Sequence, residues 1–215
     1  DDSTGEKKRV LEAHIYDVDL SPSGTKMTYF KETDLQQYVM DFSTNQEICI
    51  TCSEKIEWLD DVNGMPFVAN PLGVIGWMKD EKSLLIQSKY DVWKYNLENQ
   101  KIQNLTHGES QKIRYSFRKW ENDSVYLDSE NGYLIGFHEI DKSMSLHRIK
   151  DVDWNLEEKF QTNHKVLGLK KAKNAETFVF QASSLQDYPD LQVGKWISNK
   201  EFKQISWTNP QQSEY

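Results

Sequence analysis

Ser110 comes nearest to a nucleophile's setting. It sits in Gly108-Glu109-Ser110-Gln111-Lys112, which shares its first glycine and serine with the Gly-x-Ser-x-Gly elbow that exposes a catalytic serine on a strained strand-to-helix turn. The second glycine is missing and the segment follows a strand as a turn, so Ser110 is expected to be an ordinary loop serine. Cys49 and Cys52 form Cys-Ile-Thr-Cys, a spacing that yields low-pKa redox thiols at a helix N-terminus. Here Glu47-Ile48-Cys49-Ile50-Thr51 reads as a strand. Residues three apart on a strand face opposite sides, which opposes a disulfide or a shared metal. Two ordinary strand or turn cysteines are expected, with redox or metal chemistry as the alternative. His14, His107, His138, His147 and His164 show no His-x-His or His-x-x-x-His spacing that would bring two imidazoles to one metal. Asp60-Asp61-Val62-Asn63-Gly64 lacks the alternating oxygen ligands and closing Glu of a calcium loop, and reads as a turn. No glycine loop of the phosphate-cradling kind occurs. No catalytic, cofactor-binding or metal-ligating residue is assigned on these grounds, and no cofactor is expected.

The elements that would carry such residues are strands. Of 215 residues, 37% are apolar and 28% charged, and the apolar weight lies in 7 Trp, 10 Tyr and 9 Phe, types that suit a pleated, half-buried surface. Trp58, Trp77, Trp93, Trp120, Trp154, Trp196 and Trp207 could stack sugars or bases, but most are expected to fill space between sheets. The formal charge of −8 repels phosphate backbones and anionic lipid, so neither nucleic acid nor membrane is an expected partner. The densest basic run, Lys165 to Lys173, reads as a solvated strand and turn, and no basic patch that would overcome the mean field is visible. The longest near-continuous apolar stretch, Tyr133 to Phe137, is far short of the ~20 residues that span a bilayer. The first residues, Asp1 to Lys8, have neither Met nor an apolar signal core, which suggests a processed or excised segment.

The chain repeats itself. Asp17-Val18-Asp19-Leu20, the turn Ser21-Pro22-Ser23-Gly24, the strand Lys26 to Phe30, then Gln37 to Phe42 and Glu47 to Thr51 make one unit. Val74-Ile75-Gly76-Trp77, Ser83 to Gln87, Asp91 to Leu97 and Lys101 to Thr106 repeat that grammar. A third unit runs from Tyr115-Ser116-Phe117 through a strand at Ser124 to Leu127, a hairpin signal at Asn131-Gly132, then Tyr133 to Ile140 and Met144 to Ile149. The fourth offers Val166 to Leu169, Thr177 to Gln181, Asp190 to Val193 and Phe202 to Trp207. Asp60 to Gly73 and Asp151 to His164 fall between units, the latter with a candidate helical turn at Leu156-Glu157-Glu158. Four strands with period-2 alternation per unit is the content of a propeller blade, which must stack on its neighbours to bury both faces. The expected fold is therefore all-β, a β-propeller of about four four-stranded antiparallel blades over 1–215 (10–59, 74–110, 113–150 and 165–208), part of a larger propeller.

Ser21-Pro22-Ser23-Gly24-Thr25-Lys26 resembles the Ser-Pro-Asp-Gly-Lys repeat of propellers in the prolyl oligopeptidase and dipeptidyl peptidase IV families and in TolB. Asp91-Val92-Trp93 with Leu105-Thr106-His107-Gly108 is similar to the second half of that blade. Asp187 to Val193, followed by Lys203 to Ser206 and Asn209-Pro210-Gln211-Gln212, resembles the last blade before the hydrolase domain in bacterial members. The resemblance implies a non-catalytic propeller of a periplasmic or secreted bacterial serine peptidase, gating peptide substrate to a hydrolase domain downstream. In dipeptidyl peptidase IV relatives a Glu pair holds the substrate's amino group; the residues flanking Glu157-Glu158 do not match, and a solvated turn is expected there. The alternative is a stand-alone protein-binding propeller of the TolB type. An open propeller would also expose strand edges prone to self-association.

Overall fold

The computed structural model describes residues 4–5, 7, 15–52, 55–62, 64–66, 68–120, 124–195 and 202–211. Among them the regular structure is sixteen strands and one 3-10 turn. The strands form four antiparallel four-stranded sheets, each a meander in chain order, the content of propeller blades. Two compact units contain them, Asp1–Val74 and Ile75–Tyr215.

The first unit holds β1 (Ile15–Leu20), β2 (Lys26–Lys31), β3 (Gln36–Asp41) and β4 (Gln46–Cys49). Between β1 and β2 the Gly24 amide donates to the Ser21 carbonyl at 2.8 Å, and Gly24 sits at φ +70°, a conformation costly for residues with a β-carbon. Met27, Tyr29 and Met40 make the local core. Strand β4 stops at Cys49, and the chain bends through 50–52. That bend corrects the expectation for the cysteines: Cys49 and Cys52 are disulfide-bonded, with their Cα atoms 5.6 Å apart. The opposite-face argument fails because Cys52 is no longer on the strand.

The second sheet, in the second unit but for the first residue of β5, is formed by β5 (Val74–Trp77), β6 (Ser83–Gln87), β7 (Val92–Asn96) and β8 (Lys101–Asn104). The third comprises β9 (Ile113–Lys119), β10 (Gly132–His138), β11 (Met144–Ile149) and β12 (Leu156–Thr162). The fourth comprises β13 (Lys165–Lys171), β14 (Thr177–Ser183), β15 (Asp190–Lys195) and β16 (Lys203–Gln204). Leu85, Leu105, Tyr115, Phe117 and Leu134 pack the second sheet against the third; Tyr133, Phe160, Val166, Phe178 and Phe180 pack the third against the fourth.

The third sheet departs most from the sequence expectation. Ser124 to Leu127 is not a ladder strand: only Leu127 bridges, to Met78, and its amide donates to the Trp77 carbonyl at 2.7 Å. Leu127 is 1% exposed, so the segment works as a strap that plugs an apolar side chain beside the second sheet. Asn131-Gly132 is not a tight turn either; Gly132 opens β10, and a β-carbon there would lie 2.1 Å from Phe117 Cζ. The candidate helical turn at Leu156 to Glu158 is strand β12. Burial decides it, since Leu156 packs against the second-to-third core while Phe160 enters the third-to-fourth core.

Three sheets share one clasp. Thr106 Oγ1 donates to Asp91 Oδ1 at 2.7 Å and accepts the Val92 amide at 3.1 Å. Ser206 Oγ donates to Asp190 Oδ1 at 2.8 Å and accepts the Leu191 amide at 2.8 Å. In the first sheet Thr51 Oγ1 donates to Gln36 Oε1 at 2.6 Å and accepts the Gln37 amide at 2.9 Å. A hydroxyl just past each fourth strand thus ties it to the start of the third.

Trp58, Trp77 and Trp154 are buried, and Trp93 and Trp120 are partly so. Trp207 is 70% exposed, against expectation, because β16 ends at Gln204 and leaves it outside the ladder. Trp196 lies outside the described residues, as do Glu121-Asn122-Asp123, Asn63, Gln212 and His14.

Candidate functional site

Strand alternation builds the site. Along β9, Ile113, Tyr115 and Phe117 point into the core and so turn Arg114, Ser116 and Arg118 to the opposite face. Cross-strand register then sets Tyr133 opposite Arg118, Ile135 opposite Ser116 and Phe137 opposite Arg114. This basic and apolar face forms one wall of a cleft of about 1120 Å³ between the third and fourth sheets. The other wall is β13 from Lys165 to Leu169, and the mouth is the β14–β15 loop at Ser183 to Gln186.

Among the described residues four cations line the cleft, Arg114, Arg118, Lys142 and Lys165, and no Asp or Glu does. Their charges are committed to different degrees. The Arg114 guanidinium is ion-paired with Glu139, which also accepts from Tyr90 Oη at 2.8 Å. The Tyr90 hydrogen bond, then that from Arg114, holds the Glu139 carboxyl below its usual range. Lys142 Nζ donates to the Glu139 backbone carbonyl at 2.6 Å. Arg118 donates to the Phe117 carbonyl at 3.0 Å, and among the described residues no carboxylate pairs with Arg118 or Lys165. Burial raises the Tyr133 phenol, and the nearby Arg118 charge opposes that rise.

Among the described strands β13 pairs with β14 and stands at the edge of its sheet, where it forms the cleft's other wall. Its register slips between Leu167 and Lys170, with Gly168 at φ +62° and open space where a β-carbon would project. At the cleft the Val166 amide donates to the Met144 thioether, 3.2 Å away, a weak acceptor. The mouth loop is pinned: Ser184 Oγ donates to Asp187 Oδ2 at 2.8 Å and accepts the Asp187 amide at 2.9 Å, while His164 Nε2 lies 3.1 Å from the same carboxylate oxygen.

A second cleft of about 470 Å³, floored by Phe160, Phe180 and Phe202, opens between β12 and the fourth sheet. Its polar groups are spent on one another. Asp190 holds Ser206 and Thr208, Gln204 Nε2 donates to Asp190 Oδ2 at 2.9 Å, and His164 serves Asp187. Thr162 Oγ1 lies 3.3 Å from His164 Nδ1 but also accepts the His164 amide at 3.1 Å, so it closes a turn. The Ser184 hydroxyl meets the Asp187 carboxylate rather than the imidazole.

The other residues singled out from sequence lie apart. Ser110 is in the 3-10 turn Glu109–Gln111, its hydroxyl 3.5 Å from the His107 carbonyl. Glu157 is ion-paired with Lys159 at 2.7 Å, two positions along the same strand face, and that hydrogen bond lowers its carboxyl pKa. His138 and His147 bracket one hydroxyl, with Nε2 atoms 2.9 and 2.8 Å from Ser145 Oγ. Val62 and Met65 close a turn over Gly64. Among the described residues no group of three or more His, Cys, Asp and Glu side chains could hold a metal, and no helix is long and apolar enough to cross a membrane. The basic cleft itself was missed in the sequence because its cations come from separate segments. The signal was Arg114-x-Ser116-x-Arg118, two cations at even spacing on an alternating strand.

No protein-family model matches the sequence, and no curated protein does. Solved structures do match, and they are β-propeller proteins. Oligogalacturonate lyase from Vibrio parahaemolyticus aligns over 92% of this chain and 55% of its own, with 13% identity and a TM-score of 0.58. An oligogalacturonate lyase in complex with manganese aligns over 87% and 50%, with 11% identity and a TM-score of 0.57. Dipeptidyl peptidase 4 from Porphyromonas gingivalis aligns over 94% and 34%, with 12% identity and a TM-score of 0.56. At such identities the likeness is one of fold, and the chain spans about half the length of the lyase structures or less of the peptidase.

Proposed function

We propose that this chain is a non-catalytic β-propeller portion of a serine peptidase of the prolyl oligopeptidase and dipeptidyl peptidase IV kind, and that it receives peptide segments and gates their access to a hydrolase domain outside these residues. The observation that carries this reading is the cleft between the third and fourth sheets, whose one wall is the unpaired edge of β13. An extended peptide adds to such an edge through main-chain hydrogen bonds, while flanking pockets read alternate side chains. The Cys49–Cys52 disulfide supports a periplasmic or secreted setting, because disulfides persist in oxidising compartments.

Fluorophosphonate labelling tests the peptidase part, since the probe reacts with an activated serine. A native polypeptide extended past Tyr215 is expected to label, and the 215-residue chain is not. If neither labels, the peptidase assignment falls and a stand-alone binding propeller of the TolB kind replaces it.

A further inference from the structure

The cleft's charge is at odds with the chain around it. Acidic residues outnumber basic ones 34 to 26 in the sequence, yet among the described residues the cleft lining gathers four cations and no carboxylate, Glu139 meeting Arg114 from outside the lining. A concave site lined by one sign of charge focuses its field and selects the opposite sign even on a protein of unfavourable net charge.

Geometry narrows the ligand. Arg114 and Arg118 stand four residues apart on one strand face, roughly 13 Å at the rise of a β-strand. Lys165 faces them from β13. Anionic groups repeated along an extended chain fit that spread better than one compact anion. Between the cations the walls are Ile135, Met144 and Leu169, which offer no partner to hydroxyls but accept apolar side chains. The β13 edge adds main-chain pairing, with the Val166 amide exchanging its weak thioether acceptor for a peptide carbonyl.

Resting on the peptide-receiving role proposed above, we infer that the cleft between the third and fourth sheets takes an extended acidic peptide segment, paired along the edge of β13, with its carboxylates on Arg118 and Lys165 and its apolar side chains on Ile135 and Met144. Arg118 offers the planar, two-pronged geometry suited to a carboxylate. Arg114 contributes less, because Glu139 already offsets its charge.

The test is fluorescence anisotropy on the 215-residue chain with fluorescein-labelled peptides of alternating Glu and Val, Gln and Val, and Lys and Val, alongside a labelled oligogalacturonate. The Glu peptide is expected to bind roughly tenfold tighter than its Gln counterpart, with the difference shrinking at high salt. Arg118→Gln and Lys165→Gln are each expected to weaken the Glu peptide several-fold and leave the Gln peptide unchanged. Lys165 is exposed, so its variant keeps the test standing if Arg118→Gln unfolds. Methylation of alternate backbone nitrogens in the Glu peptide is expected to abolish binding by blocking the edge. Equal binding of the Glu and Gln peptides would overturn the acidic preference and leave the peptide-receiving role intact. Binding of no peptide overturns both. Tighter binding of oligogalacturonate than of the Glu peptide reassigns the cleft to acidic sugars.

Discussion

The Thr106 hydroxyl donates to the buried Asp91 carboxylate at 2.7 Å and accepts the Val92 amide at 3.1 Å, while the Gly108 amide donates to the same carboxylate. One side chain therefore satisfies a buried carboxylate and a buried backbone donor together. Thr106→Val keeps the shape and removes both bonds, and is expected to destabilise the second unit by about 2–3 kcal/mol. A urea melt checks this; a loss under half a kilocalorie would mean that water takes over the clasp.

His147 sets a pH dependence. It is 5% exposed, packed edge-on against Tyr115 at 5.1 Å, with Glu158 opposite in the strand register and His138 across Ser145. Burial, reinforced by the His138 charge, lowers its pKa from 6.5 to about 4. The unfolded chain then binds the proton more readily than the folded one, so stability is full above the unfolded pKa and declines as pH falls towards 4. The loss approaches roughly 3 kcal/mol at completion. His147→Gln is expected to flatten the drop in thermal midpoint between neutral pH and pH 4; an unaltered slope would move its origin to another group.

Much of this was legible in the sequence, and the exceptions share a cause. The second sheet could be read because its clasp fixes Asp91, Thr106 and Gly108 at constant spacing, leaving a motif. Strand β12 could not, because Leu156 and Phe160 serve different cores, and Glu157-Glu158 between them carries helix-forming residues whose propensity the packing overrides. The disulfide depended on where β4 stops, a boundary that alternation alone does not mark. The cleft depended on which strand faces meet in space, and only tertiary structure brings Lys165 to Arg118.

The disulfide closes a very short loop, so chain entropy assigns it roughly 2 kcal/mol. Reduction is expected to lower the urea midpoint of the first unit, and the double variant Cys49→Ser, Cys52→Ser to match it without reductant. Alkylation of both thiols in unreduced, denatured protein would refute the bond.

The mouth of the basic cleft depends on Asp187. Ser184, and secondarily His164, hold its carboxyl below the usual range and lock the loop around it. Asp187→Ala is expected to speed amide exchange across Ser184 to Tyr188 about tenfold or more, and to weaken the Glu peptide. Unchanged exchange would show that the loop is held by its own backbone.

The hydroxyl clasps have a further implication for how such a chain can be lengthened or cut. Each joins residues fifteen or sixteen positions apart, within a single sheet. A whole unit can thus be gained, lost or exchanged by recombination at the connecting segments without any clasp being left half-made. Each of these three sheets is fastened within itself, and the connecting segments are the places where duplication leaves every clasp whole.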